Sequence, residues 1–209
     1  MLLVSGGASV GEKDFTRALL EWLRFEIVFS QVNVRPGRPL IFGVSGGAPV
    51  LRSSTATEGG SAPASLLGGS LAPPNKIRFA FGLPGNPLSH FVCFHLFVAA
   101  ALANLVGEEP RGFRRGTLAA KLEDVPCPRE TLWPAKWHGC PAREFQAREA
   151  GSGNWKLAGE TPAPLLIPLK WSSSGDVTCL AETDALIRVP ANRGLIESGA
   201  EVDFLPINC

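Results

Sequence analysis

The first fifteen residues constrain the fold most. Met1 to Val4 read as a buried strand, Ser5, Gly6, Gly7, Ala8, Ser9, Val10 and Gly11 as a tight loop, and Glu12 onward as a helix. Glycine adopts positive φ and lets the backbone approach a ligand, and the first N–H groups of a helix have no partner inside it. Strand, loop and helix start together therefore make an anion site. Glu12 and Asp14, at that mouth, would repel a phosphate unless a cation such as Mg²⁺ lay between. Two readings stay open: a phosphate or oxyanion site with a metal, or an ordinary strand-to-helix turn whose acids favour the helix dipole.

A second stretch of the same grammar shifts the balance. Lys76 to Leu83 reads as a strand, Pro84, Gly85, Asn86 and Pro87 as a turn, and Leu88 to Val106 as a long apolar helix capped by Gly107. In an open parallel sheet, ligands bind beyond the carboxyl ends of the strands, so both turns would face one edge. Two convergent turns favour a phosphate-bearing ligand.

Between them, Asp14 to Arg24 fits an amphipathic helix with Phe15, Ala18, Leu19, Trp22 and Leu23 on the core side. Glu26 to Val34 reads as a strand with Ile27, Phe29, Val32 and Val34 inward, and Leu40 to Val44 as another. The rigid turn Arg35-Pro36-Gly37-Arg38-Pro39 holds two guanidinium groups close together. It is either an oxyanion clamp or a solvated turn. Residues 45–75, rich in Gly, Ser, Ala, Thr and Pro, read as a flexible insertion.

Glu108, Glu109 and Pro110 mark a change of character. Beyond them come short β-like segments at Gly116–Leu122, Thr131–Trp137, Glu144–Ala147, Asn154–Leu157, Pro164–Pro168, Val177–Leu180, Ala185–Pro190 and Glu201–Leu205. The fold class expected is α/β: a partial parallel sheet with flanking helices over residues 1–107, then a small all-β barrel over 111–209. Trp133, Trp137, Trp155 and Trp171 read as barrel core or rim, since no basic groove accompanies them. Ser172, Ser173, Ser174, Gly175 and Asp176 read as a polar structural turn. His90 and His95, five apart, do not share a helix face as metal ligands would, and His138 beside Cys140 is too isolated for a metal site.

Net charge is +1 with no basic run, which gives no argument for nucleic acid or an anionic membrane. Five cysteines without a CxxC pair suit free thiols in a reducing compartment. The N-terminus lacks the basic segment of a secretion signal. The longest apolar run, Phe91 to Ala103, is short of the ~20 residues of a membrane span. These features read as soluble and cytoplasmic. A parallel sheet that begins on its own phosphate loop is also expected to lack an N-terminal portion, leaving an unpaired strand edge and apolar faces as a partner or aggregation surface.

Together, SGGASVGEKDF, RPGRPLIFG, FGLPGNPLSHFVCFHLFV and SSSGDVTCLAETDALIRVP closely resemble the molybdopterin molybdotransferase family. The related adenylyltransferases carry a TGGTG-like loop and no trailing β domain. The resemblance covers nearly the whole chain outside residues 45–75. It implies insertion of molybdate into adenylylated molybdopterin with release of AMP and a need for Mg²⁺. By the same resemblance the phosphates and pterin sit at Ser5, Gly6, Gly7, Ser9 and Gly11 and at Pro84, Gly85, Asn86 and Pro87. Asp14, with Glu12 second, holds the metal. Arg35 and Arg38 stand where the family has lysines and keep the charge that molybdate needs. Ser89 lies near the oxyanion, and Ser173 and Ser174 belong to the β-domain turn that approaches the site. A family arginine falls near Arg143 or Arg148. Family members carry further domains ahead of the glycine loop and are homodimers, so a complementing chain is a possible partner here. A non-catalytic molybdopterin-binding or scaffold module, or an inactive fragment, is the alternative.

Overall fold

In the computed structural model, Leu2–Ser5 (β1) lies parallel to Arg78–Leu83 (β5), in a register running from Leu2 opposite Ala80 to Ser5 opposite Leu83. The structure describes residues 1–7, 15–46, 78–138 and 164–207. Expectations for Ser9, Gly11, Glu12, Asp14, the bulk of the 45–75 insertion, Cys140, Arg143, Arg148, Trp155 and the segments 144–147 and 154–157 lie outside them.

The first sheet has the order β1-β5-β4-β2, with β2 at Glu26–Gln31 and β4 at Pro39–Ser45. Its parallel character is confined to β1 and β5, because β4 runs antiparallel to both β5 and β2. Chain length explains the difference for β2 and β4. The few residues between them can close a tight reversal, whereas a parallel crossover needs about a dozen.

Helix α1 (Phe15–Trp22) covers one face, where Leu20 packs with Ile41 and Ala80. Close approach is possible because Gly82 has no side chain. A Cβ there would lie 2.5 Å from Thr16 Cγ2. The expected core stripe of α1 is corrected by this contact. Thr16 and Leu20 face the sheet, while Phe15 and Trp22 are 70% and 76% exposed and Leu19 and Leu23 are exposed beside them. These side chains leave an apolar surface on the outer side of α1.

Helix α2 (Pro87–Val106) covers the other face, where Cys93 and Val98 pack with Leu40, Phe81 and Leu83. It is α-helical over Pro87–Cys93 and Ala99–Val106 with a π turn, Phe94–Val98, between. Gly107 closes it at φ 78°. At 20 residues it is longer than its apolar run and meets the length and composition of a membrane span. Its first half packs between two sheets instead.

The second sheet is the expected barrel. Its strands are β6 (Arg114–Leu118), β8 (Glu130–His138), β9 (Leu165–Pro168), β10 (Ala185–Val189) and β12 (Glu201–Pro206), in the order β10-β12-β6-β9-β8. Pairing of β10 with β8 closes the ring. Closure removes free edges, and side chains fill a barrel this small. Leu118, Ala135, Leu166, Ile187 and Phe204 form the filling, with the Phe204 ring tilted 62° against Trp137. The ribbon of β7 (Leu122–Glu123) with β11 (Leu195–Ile196) closes one side.

Three features depart from the expected strands, the first being that Gly116–Leu122 is divided between β6, which ends at Leu118, and β7, which begins at Leu122 and pairs elsewhere. Glu26 to Val34 is not one strand: Val34–Arg35 forms a separate β3 that leaves the first sheet and pairs in parallel with β8 of the barrel. Val177–Ala181 is a helix, α3, because the Asp176 carboxylate accepts the Cys179 N–H and caps it. Between the sheets runs a joint core in which Leu88 and Val92 of α2 meet Leu132, Leu186, Leu205 and Ile207. Cys93, Cys127 and Cys179 are free thiols among the described residues.

Candidate functional site

Because β1 and β5 are parallel, their carboxyl ends emerge at one edge, and the turns that follow touch. The Gly6 N–H donates to the Leu83 carbonyl at 3.1 Å. Gly6 and Gly7 have φ of 84° and 69°, values that disfavour any side chain. The buried Thr16 hydroxyl donates to the Gly6 carbonyl at 2.7 Å, so the first turn of α1 holds the loop. Gly85 comes so near that a Cβ on it would sit 3.6 Å from Gly6 Cα.

His90 ties the two turns. Its Nδ1 lies 3.4 Å from Ser5 Oγ and 3.3 Å from the Pro84 carbonyl. Sequence reasoning missed this residue. The available signal was its place in the first turn of α2, which puts it at the same end as the Pro-Gly turn.

The barrel contributes the third wall. Ser174 accepts from Asn86 Nδ2 through its hydroxyl, at 2.9 Å, and from the Leu88 N–H through its carbonyl, at 2.9 Å. Pro87 has no N–H, so the first amide of α2 is satisfied within the chain rather than left for an anion. Ser173 Oγ accepts from the Gly175 N–H at 3.2 Å. Asp176 anchors the turn, accepting from Cys179 N at 3.1 Å and from Ser172 N at 3.2 Å. Those bonds, that of Cys179 foremost, hold the Asp176 carboxyl below its ordinary value. A carboxyl so shifted contributes stability above its unfolded pKa and loses it as pH falls through the folded one. Acid titration should therefore move the Leu88 amide resonance as the turn loosens. A Leu88 resonance that stays fixed while Asp176 titrates would show that the turn holds without its carboxylate.

The five-residue turn at Arg35 lies against the same helix. Gly37, at φ 120°, accepts a hydrogen bond from the Cys93 thiol at 3.2 Å. Burial pushes that thiol up to about 12, so it stays a protonated donor. Ser89 is buried beneath the turn, its carbonyl 3.4 Å from where a Gly37 Cβ would stand. Arg35 Nη2 is bonded to Asp124 of the barrel, and Arg38 Nε donates to Gln31 at 3.2 Å on the surface. Among the described residues neither guanidinium bonds to the glycine turns.

Ser5, Gly6, Gly7, Pro84 to Pro87, Ser173 and Ser174 thus line one edge, while Ser89, Arg35 and Arg38 stand behind it on α2 and the adjoining turn. The residues along the edge itself are neutral donors and acceptors suited to an oxyanion, beside Asp176, which is held by its own turn. An apolar cleft of about 360 Å³, with Phe91, Phe94 and Leu180 in its walls, opens beside His90. No group of three metal-ligating side chains occurs among the described residues.

Residues 1–104 match a family model described as a probable molybdopterin binding domain, and residues 158–207 match the MoeA C-terminal region, domain IV. The chain is 34% identical over 106 residues to the molybdenum cofactor synthesis protein cinnamon of Drosophila melanogaster, covering 51% of this chain and 13% of that protein. It is 34% identical over 220 residues to gephyrin of Dictyostelium discoideum, covering 100% of this chain and 26% of that protein. The chain thus spans about a quarter or less of these relatives. Among solved structures, the molybdopterin biosynthesis MoeA protein of Pyrococcus horikosii shares the fold, with a TM-score of 0.58 at 23% identity over 98% of this chain and 36% of that one.

Proposed function

Since the chain belongs to the molybdopterin molybdotransferase family, of which it carries the molybdopterin-binding domain and the C-terminal region, we propose that its glycine-turn edge binds adenylylated molybdopterin. There it takes part in exchanging the adenylate for molybdate, with release of AMP. The observation that carries this reading is the meeting of Gly6, Gly85 and Ser174 at one edge. Backbone and hydroxyl donors there would receive phosphate oxygens, and the apolar cleft beside His90 has room for a flat ring.

Mg²⁺ would be held by Asp14, with Glu12 second, and would neutralise the phosphate charge. Arg38, exposed and with its guanidinium bonded among the described residues to Gln31 alone, is the guanidinium with more freedom to meet molybdate. We further read residues 1–107 and 111–209 as two domains, the protein as cytoplasmic, and the working assembly as a homodimer or a pair with a complementing chain.

The test is calorimetric titration of adenylylated molybdopterin with and without Mg²⁺, followed by assay of AMP release on adding molybdate. Asp14→Ala should abolish the Mg²⁺-dependent tightening, a loss of about tenfold or more. Unchanged Mg²⁺ dependence would remove Asp14 from the metal site. A second reading, binding without turnover, is favoured by the engagement of Arg35 with Asp124. Ligand binding with no AMP release under molybdate and Mg²⁺ would select it.

A further inference from the structure

The glycine-turn edge uses only the first turn of α2. Its far end carries a separate cleft of about 390 Å³, between Ala99, Leu102 and Val106 on the helix and Leu205 and Pro206 at the end of β12. The apolar surface continues outward onto Leu105, which is exposed like Leu102 and Val106. The first half of α2 packs between the sheets, and the exposed apolar side chains gather at its last turn, where Leu102, Leu105 and Val106 stand together. Exposed apolar residues grouped in this way mark an interaction surface. Small side chains at Ala99, Ala100 and Ala103 keep the helix side of the cleft shallow enough for an incoming chain to come close.

The rim supplies a sign. Glu108 and Glu109 border the cleft and have no ion-pair partner among the described residues. Arg111, also on the rim, points its Nη1 at the Ile207 carbonyl. His95 is held below its ordinary value by burial first and by Arg111 second, so it adds no positive charge at neutral pH. One cation therefore faces two acids, and the uncompensated charge is negative.

We propose that this cleft docks an apolar peptide segment flanked by basic residues, contributed by a partner polypeptide. Aliphatic side chains enter between Leu102, Val106 and Leu205, and a lysine or arginine meets Glu108 and Glu109. Groove docking of this kind takes its affinity from the apolar anchors and its selectivity from the charged rim. The acids disfavour the other apolar surface available to such a helix, an anionic bilayer. This inference is independent of the ligand bound at the glycine turns.

The experiment is fluorescence anisotropy on the 209-residue chain with two labelled peptides, GKKLVLKG and its charge-reversed counterpart GEELVLEG. The basic probe should bind saturably and about tenfold or more tighter than the acidic one. Combined Glu108→Lys and Glu109→Lys should reverse that order, and Leu102→Asp should weaken both probes by about tenfold. All three side chains are exposed, so thermal unfolding and adenylate binding should not change. Equal affinity for the two probes, or a preference indifferent to the Glu108 and Glu109 substitutions, would overturn the proposal. So would absence of saturable peptide binding with Leu102-dependent binding to phosphatidylglycerol vesicles, or a dimer that dissociates on Leu102→Asp.

Discussion

Replacing Arg35 by methionine should destabilise the chain by about 3–5 kcal/mol, the cost of leaving a buried charge without its partner. The bond to Asp124 is the reason. The two side chains are only 20% and 9% exposed, and they join the end of β3 to a barrel residue far along the chain. The double replacement Arg35→Met with Asp124→Leu should recover most of the loss, because a packed apolar pair substitutes for a buried ion pair at little cost. Urea unfolding of both singles and the double measures the coupling. The same set decides what Arg35 does for the ligand. Under the proposed activity, a double variant that folds but gives no AMP on addition of molybdate, where the native chain does, would show that the guanidinium serves both the fold and the oxyanion. Full release from the double variant would leave Arg35 a structural residue alone.

Gly37→Ala, two residues further on, should cost a similar amount for a different reason. Its φ of 120° is one that L side chains rarely adopt, and the added Cβ would stand 2.7 Å from Cys93 Sγ. Left-handed strain costs about 1–2 kcal/mol and overpacking about 1–3 kcal/mol, so the expected total is about 2–5 kcal/mol. Cys93→Ala in the same background should return the overpacking part and leave the strain. Thermal unfolding of the pair separates the two. A single Gly37→Ala that melts with the native chain would mean that Cys93 does not hold this turn.

What could be read along the chain was what local chemistry decides. Gly6-Gly7 and Pro84-Gly85 punctuate strands that end on glycine and proline, and Gly107 stops a helix for the same local reason. Val177 to Leu180 was open to misreading because four apolar or β-branched residues fit a strand as well as a helix turn. The deciding group, the Asp176 carboxylate, acts three residues away. The face of α1 was misjudged because its apolar stripe is real but is not the side that docks. Contact with Gly82 selects Thr16 and Leu20 instead. Neither the passage of Val34 and Arg35 into the barrel nor the hold of Ser174 on Asn86 has a local signal. Both depend on partners nearly ninety residues or more away in the chain.

The two-residue strand β3 bears on how modular such a protein is. Val34 and Arg35 pair with Glu130 and Thr131, Arg129 reaches back to the Val34 carbonyl at 3.2 Å, and Asp124 takes Arg35. A break made between Gly107 and Arg111 would give a barrel with an open edge at Glu130 and two side chains bereft of partners. Its apolar seam at Leu132 and Leu186 would also lose Leu88 and Val92. Recombination that swaps the barrel between relatives must therefore carry residues 34–37 and the first half of α2 along with it. The heritable unit is larger than either sheet.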